Sequence, residues 1–265
     1  MTADTAIAVR IRGLSKFYSL TPIGHGSLYD RLGRLVRRTP APGAETPPGI
    51  WALHNVDLDV PRGHVLGILG RNGSGKSTLM RVIARVTAPT TGTVEVVGRV
   101  GALLQVGTGF HPELTGRDNI ILAGAILGMT KEEIEAVHER IVAFAEIGQF
   151  LDSAVKYYSS GMYLRLAFSV SAHLAAEVML IDEVMAVGDA QFQERCRMRI
   201  RELVNEGRTV LFVSHATATV RQICDSAIVL DNGHQQFGGS TADAIDFYED
   251  RVLQLRQPDM ASARR

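Results

Sequence analysis

The sequence predicts an α/β fold with a mostly parallel central sheet, and three observations carry that prediction. Short apolar runs recur without polar alternation at residues 65–69, 178–181, 210–213 and 228–230, as in strands covered on both faces. Helical stretches separate them, at 76–86, 131–147, 161–175 and 190–205, and strand–helix alternation of this kind builds a parallel sheet. A glycine-rich loop lies directly between the first run and the first helix.

With 265 residues and 46% hydrophobic content, the chain has room for one large domain with a sizeable core. Lys+Arg and Asp+Glu both number 28, a formal net charge of zero, so no global field draws it to nucleic acid. Cys196 and Cys224 form neither a metal box nor a disulfide framework and suit a reducing compartment. Residues 1–12 lack the apolar core and cleavage site of a signal peptide. The longest uncharged apolar runs, 119–129 and 166–176, are about half of a membrane span. The expectation is therefore a protein that works at a membrane only through a partner.

Taken in order, the first irregular region is about 19–49, where most of the prolines fall. It reads as an insertion, and 27–38 within it as a short amphipathic helix. Leu28, Leu32 and Leu35 would line one face and Arg31, Arg34, Arg37 and Arg38 the other. Next comes Gly70-Arg71-Asn72-Gly73-Ser74-Gly75-Lys76-Ser77, followed by Thr78, which matches G-x-x-x-x-G-K-[ST] between a strand and a helix. Glycines let backbone N–H groups turn inward around phosphate oxygens. Lys76 brings a point charge to the terminal phosphates, and the Ser77 hydroxyl is a magnesium ligand. The helix beginning at Lys76 adds its dipole. This is a nucleotide site.

A helix-rich stretch, about 107–172, then precedes the run 178–181, which ends in Asp182 and Glu183. Strand carboxyl ends open onto the ligand crevice of such folds. Asp182 is placed to hold magnesium and Glu183 to take a proton from an attacking water. Two adjacent acids point to hydrolysis.

Tyr158-Ser159-Ser160-Gly161-Met162, leading into a helix that carries Arg165, resembles the signature motif of the ATP-binding-cassette (ABC) ATPases. Ser159, Gly161 and Arg165 match the usual L-S-G-G-Q form; Tyr158, Ser160 and Met162 depart from it. A Ser-Ser-Gly turn at a helix start is also an ordinary N-cap. The resemblance covers nearly the whole chain and implies one P-loop NTPase cassette over 1–265, with antiparallel β elements beside the parallel core and a helical subdomain at 107–172. It implies ATP and Mg2+ as cofactors and a homodimer in which Ser159, Ser160 and Gly161 reach the ATP held by the opposite subunit. Gln105, after the run 100–104, resembles the Q-loop glutamine that touches magnesium and the attacking water. His215 resembles the switch histidine and Asp189 the D-loop aspartate. Tyr18 or its neighbour Phe17 resembles the aromatic that stacks on adenine.

The stretches 103–120, 158–170 and 184–189 resemble the branch that exports O-antigen, capsule or teichoic acid. That likeness implies a lipid-linked polysaccharide moved by a separate membrane permease, with this subunit peripheral on the cytoplasmic face of the inner membrane and no nucleic-acid partner. Some members of the branch carry an added β-sandwich that reads the polymer's end, which takes about 100 residues. Only residues 256–265 follow the last cassette-like stretch, 242–255, so recognition of the terminal sugar is expected elsewhere. Alternatives are a soluble ABC ATPase acting on DNA or ribosomes, an importer or drug-exporter subunit, and a kinase sharing the loop. The first would usually bring two cassettes or long coiled coils, and neither is in the sequence.

Overall fold

The computed structural model describes residues 6–20, 48–103, 109–182 and 189–253. Gln105, Glu183, most of the 19–49 insertion with its basic helix, Val187 and Gly188 lie outside the described residues.

Two sheets form the frame. In the first, β1 (Ile7–Ser19) runs antiparallel between β2 (Gly49–Pro61) and β4 (Thr91–Val96). Val9, Ile11 and Leu14 point inward at 0% exposure, while Arg10 and Arg12 reach Asp59 across the solvent face, the two-sided alternation of an antiparallel sheet. The chain leaves this sheet at Leu20 and returns at Pro48, whose carbonyl accepts from Leu20 N at 2.8 Å.

The second sheet has six strands in the order β5-β6-β7-β3-β8-β9. These are β3 (Val65–Gly70), β5 (Val100–Leu103), β6 (Val178–Asp182), β7 (Thr209–Val213), β8 (Ser226–Asp231) and β9 (His234–Ser240). All neighbours are parallel except β8 and β9. Successive residues supply two different cores. Ile68, Leu180, Leu211 and Ile228 pack with the antiparallel sheet and with α1 (Lys76–Ile83). Leu69, Met179, Phe212 and Val229 pack with the helices on the other face. Unalternating apolar strands are therefore buried on both sides, as predicted.

The helices of that other face include α2 (Gly116–Ile126), α3 (Lys131–Ala145) and α4 (Ser160–Ala172). Each has a hydroxyl N-cap: Thr115, Thr130 and Ser159 accept from Asp118 N, Glu133 N and Met162 N. Glu133 returns a bond to Thr130 N, closing a capping box. Ile120, Ile134, Ile141, Leu166 and Phe168 join the same core as the sheet residues Met179 and Phe212, so the helical block shares a core with the sheet. Then follow α5 (Ala190–Asn205), α6 (Thr217–Ile223), α7 (Thr241–Phe247) and a π-helical turn, Tyr248–Leu253. Among the described residues no helix is long and apolar enough to cross a membrane.

Several helices end earlier than the sequence suggests. The stretch expected over 76–86 stops at Ile83, because Arg85 turns left-handed with φ 59°. That expected over 131–147 stops at Ala145, before Glu146 at φ 53°. That expected over 161–175 stops at Ala172. Arg199 Nε donates to Ala172 O at 3.2 Å and Arg208 Nη1 donates to Leu174 O, so side chains from α5 and the turn after it satisfy carbonyls at and just past the helix end that no intrahelical N–H reaches. The helix expected over 242–255 gives way to the π-helical turn after Phe247.

Candidate functional site

Three parallel strand ends define one crevice. Asp182 pairs with Val213, and Val213 pairs with Ile68, so β6, β7 and β3 finish side by side. Their carboxyl ends deliver Asp182, the Ser214–His215 pair and Gly70, where this architecture binds ligands.

The loop from Gly70 to Gly75 closes over that crevice. Gly75 is the N-cap of α1 in a left-handed conformation, φ 106°, and its side-chain cap is absent, which leaves the first N–H groups of α1 directed at the crevice. A Cβ on Gly75 would stand 2.4 Å from Ala52 O, whereas one on Gly73 would meet nothing within 4 Å. The loop is thus tightly backed on one side and open on the other. Asn72 and Gly73 are exposed and Ser74 is buried. Ser74 Oγ is buried without a hydrogen-bond partner, turned toward Gly70.

Lys76 is 6% exposed, and its Nζ donates to Gly70 O at 2.6 Å and Arg71 O at 2.9 Å. Burial pushes its ammonium below the ordinary lysine value, and the Asp182 carboxylate opposes the shift. Asp182 is raised, first by burial, against the pull of Lys76, His215 and Arg81. His215 is lowered by desolvation and by Lys76, with Asp182 and a hydrogen bond to the Gly70 backbone acting the other way. These mutual effects place Lys76, Asp182 and His215 in one electrostatic unit. Arg81, on the far turn of α1, adds a weaker pull on Asp182 and was not singled out by any motif. Ser77 and Thr78 lie in the first turn of α1, with Ser77 exposed toward solvent.

The other predicted residues stand apart from this unit. Tyr18, at the end of β1, is 36% exposed, with Lys16 Nζ 5.1 Å from its ring centre. Phe17 is engaged instead: its ring lies against Gly49 and 5.2 Å from that of Trp51. Of the two rings, Tyr18 is thus the more exposed, with a lysine ammonium over it, and Phe17 is packed against other rings. Ser159, Ser160 and Gly161 form the first turn of α4, and Ser159 Oγ accepts from Met162 N at 3.2 Å. Arg165 pairs with Glu146, which also pairs with Arg195. Asp189 caps α5, accepting from Phe192 N at 2.8 Å. Gln105 and Glu183, as noted, are outside the described residues.

A parallel sheet with a phosphate loop at one strand end, an acid at a second and a histidine after a third defines a P-loop nucleotide-binding cassette. The family model described as ABC transporter matches residues 53–186, and this chain belongs to that family. The chain is 42% identical over 203 residues to the O-antigen export system ATP-binding protein RfbB of Myxococcus xanthus, covering 77% of this chain and 46% of that protein. It is 43% identical over 198 residues to the protein of the same name from Klebsiella pneumoniae, covering 75% and 80%. The matched stretch is therefore less than half of the Myxococcus relative and four-fifths of the Klebsiella one. In fold, it resembles the dimeric structure of a post-hydrolysis state of the ATP-binding cassette MJ0796 bound to ADP and Pi. The TM-score is 0.68 at 22% identity, over 88% of this chain and 98% of that one.

Proposed function

We propose that this chain is the ATP-hydrolysing subunit of an exporter that moves a lipid-linked polysaccharide, of the O-antigen, capsule or teichoic-acid kind, across the cytoplasmic membrane. The crevice supports the ATPase half of this reading, and the polysaccharide half rests on the relatives named as O-antigen export proteins. Two copies sit beneath a separate permease, peripheral on the cytoplasmic face, and sandwich ATP between them.

In each copy the inward N–H groups of Gly70–Thr78 and the α1 dipole bind the phosphates, and Lys76 exchanges its two carbonyl partners for phosphate oxygens. Tyr18 stacks on adenine. Ser77 and Asp182 offer the hard oxygen donors that Mg2+ prefers, joined by Gln105. When bound, the metal neutralises charge on the phosphates. Glu183, the residue after Asp182 in the chain, takes the proton of the attacking water. His215, whose pKa is lowered by burial and by Lys76, donates to the terminal phosphate. The first turn of α4 in the second copy, Ser159–Gly161, closes the site from above.

The reading is tested with purified Glu183→Gln protein. It should bind ATP while single-turnover hydrolysis slows by about 10²–10⁴-fold, the usual cost of losing a general base. A rate within a few fold of wild type removes Glu183 from that role. Normal export of surface polysaccharide in cells carrying only the Lys76→Ala chain would sink the export assignment.

A further inference from the structure

We infer that the turn between β8 and β9 is a positioning element of the nucleotide site, latching the phosphate loop through Gly233; the inference rests on the nucleotide reading above. A loop that points its N–H groups inward at phosphate must point carbonyls outward, and each buried carbonyl then needs a donor from elsewhere. Most of these donors are local. Gly70 O and Arg71 O accept from Lys76 Nζ, Arg71 O also from Ser74 N at 3.1 Å, and Gly75 O from Leu79 N at 2.9 Å. Gly70 O also takes a bond from the His215 ring after β7, and Ser74 O takes its donor from the hairpin of β8 and β9. The Ser74 carbonyl accepts from Gly233 N at 3.0 Å, and Gly233 O in turn accepts from His54 N, in β2, at 2.8 Å. One residue thereby ties the loop to both sheets.

The turn is built for that contact. Asn232 and Gly233 have φ of 47° and 80° and lie between the paired residues Asp231 and His234, a two-residue hairpin with both central φ values positive. A Cβ on Gly233 would stand 3.0 Å from Ala52 O and 3.2 Å from Trp51 O, so a side chain there pushes the turn away from β2. The far side is fastened by rings: His234 stacks on His54 at 4.8 Å, and His54 lies 5.6 Å from Trp51. Moving the turn frees Ser74 O and lets the peptide after it rotate its N–H out of the crevice. Gly233 touches no phosphate itself, so its role is to hold Ser74 and Gly75 in register.

The experiment uses the whole chain with Gly233→Ala and, separately, His234→Ala, which leaves the turn backbone unchanged. In nucleotide-free protein, amide hydrogen exchange across residues 74–78 should speed up in both variants. ATP titrations followed by the fluorescence of Trp51, the single tryptophan, should show Kd raised about 10-fold for Gly233→Ala and about 3-fold for His234→Ala, the scale of one lost hydrogen bond and one lost ring contact. The turnover rate at saturating ATP should stay within about 2-fold of wild type. Unchanged exchange at 74–78 in the His234→Ala protein, or an unchanged ATP Kd in a folded Gly233→Ala protein, would overturn the latch. Failure of the wild-type chain to bind ATP would overturn the nucleotide reading instead, and the exchange measurement would still judge the latch.

Discussion

The phosphate crevice and the signature turn are both helix N-termini, yet they are finished to different degrees. At α1 the N-cap is a glycine without a side chain, and Lys76 and His215 each act on Asp182, as Asp182 does on them. At α4 the N-cap is a serine that already accepts from Met162 N, and no described hydrogen bond or ion pair joins Ser159, Ser160 or Gly161 to the phosphate loop. The first is a site whose charged groups come from three segments of one chain: α1, the end of β6 and the turn after β7. The second, among the described residues, is a capped helix end and no more. The contrast fits the proposed two-fold sandwich, in which the signature turn of one copy would meet the nucleotide held by the other.

The largest expected effect falls on the complete site. Lys76→Ala should weaken ATP affinity about 100-fold, the scale of a lost charge-assisted contact, as read by equilibrium titration. Affinity within a few fold of wild type would mean that the backbone amides alone hold the phosphates, and the crevice would lose its electrostatic centre.

Ser159→Asp sharpens the other half. Aspartate is as good an N-cap as serine, so the melting temperature should stay within about 2 °C of wild type. A carboxylate aimed at the partner's phosphate should nevertheless reduce kcat about 10-fold or more, while a single copy still binds ATP normally. If hydrolysis is unaffected, the turn at Ser159 is only a cap. Mixing Ser159→Asp with Lys76→Ala chains adds a second check, because one of the two sites in the mixed dimer should then be intact.

A smaller effect is expected at the other end of α4. His173 is 8% exposed, its Nδ1 lies 2.8 Å from Ser169 O, and burial holds its pKa below the ordinary 6.5. The unfolded chain therefore takes up this proton first, and stability should fall as pH drops through 6.5 and below. In His173→Gln the melting temperature should decline less steeply between pH 7 and pH 5. An identical decline in both proteins would assign the acid sensitivity to other groups, and the end of α4 would have no part in it.

What could be read in advance divides along physical lines. The central strands were legible because burial on both faces leaves an unmistakable apolar run, and the phosphate loop because its glycines follow from backbone geometry. Strands β1 and β2 were not delimited, because Arg10, Arg12, Asp57 and Asp59 break their apolar pattern on the solvent side. Helix ends were overrun where a non-glycine residue, Arg85 or Glu146, adopts the left-handed turn that usually signals itself by glycine. The sequence places Asp182 and His215 at strand ends, but that they and Lys76 meet depends on β7 lying between β6 and β3. Arg81 carries no motif. The Asn232-Gly233 pair is an ordinary hairpin signal whose contact with Ser74 is long-range and left no trace in the local sequence.

Strand order also sets when the site can exist. β3, which carries the phosphate loop, pairs with β7 and β8 through Val210 and Ser226, and both follow it in the chain by most of the protein's length. A ribosome adds about 5–20 residues per second, so after Val65–Gly70 is made it waits on the order of ten seconds for a neighbour on either edge. Through that interval both edges of the strand, and Val65 and Leu69 on the side that faces the later helices, lack the partners that will cover them, a segment of the kind that chaperones shield and aggregates recruit. The nucleotide pocket is therefore a late product of synthesis. Nascent chains stalled before residue 210 should associate with holdase chaperones through this segment, and ATP should not release them.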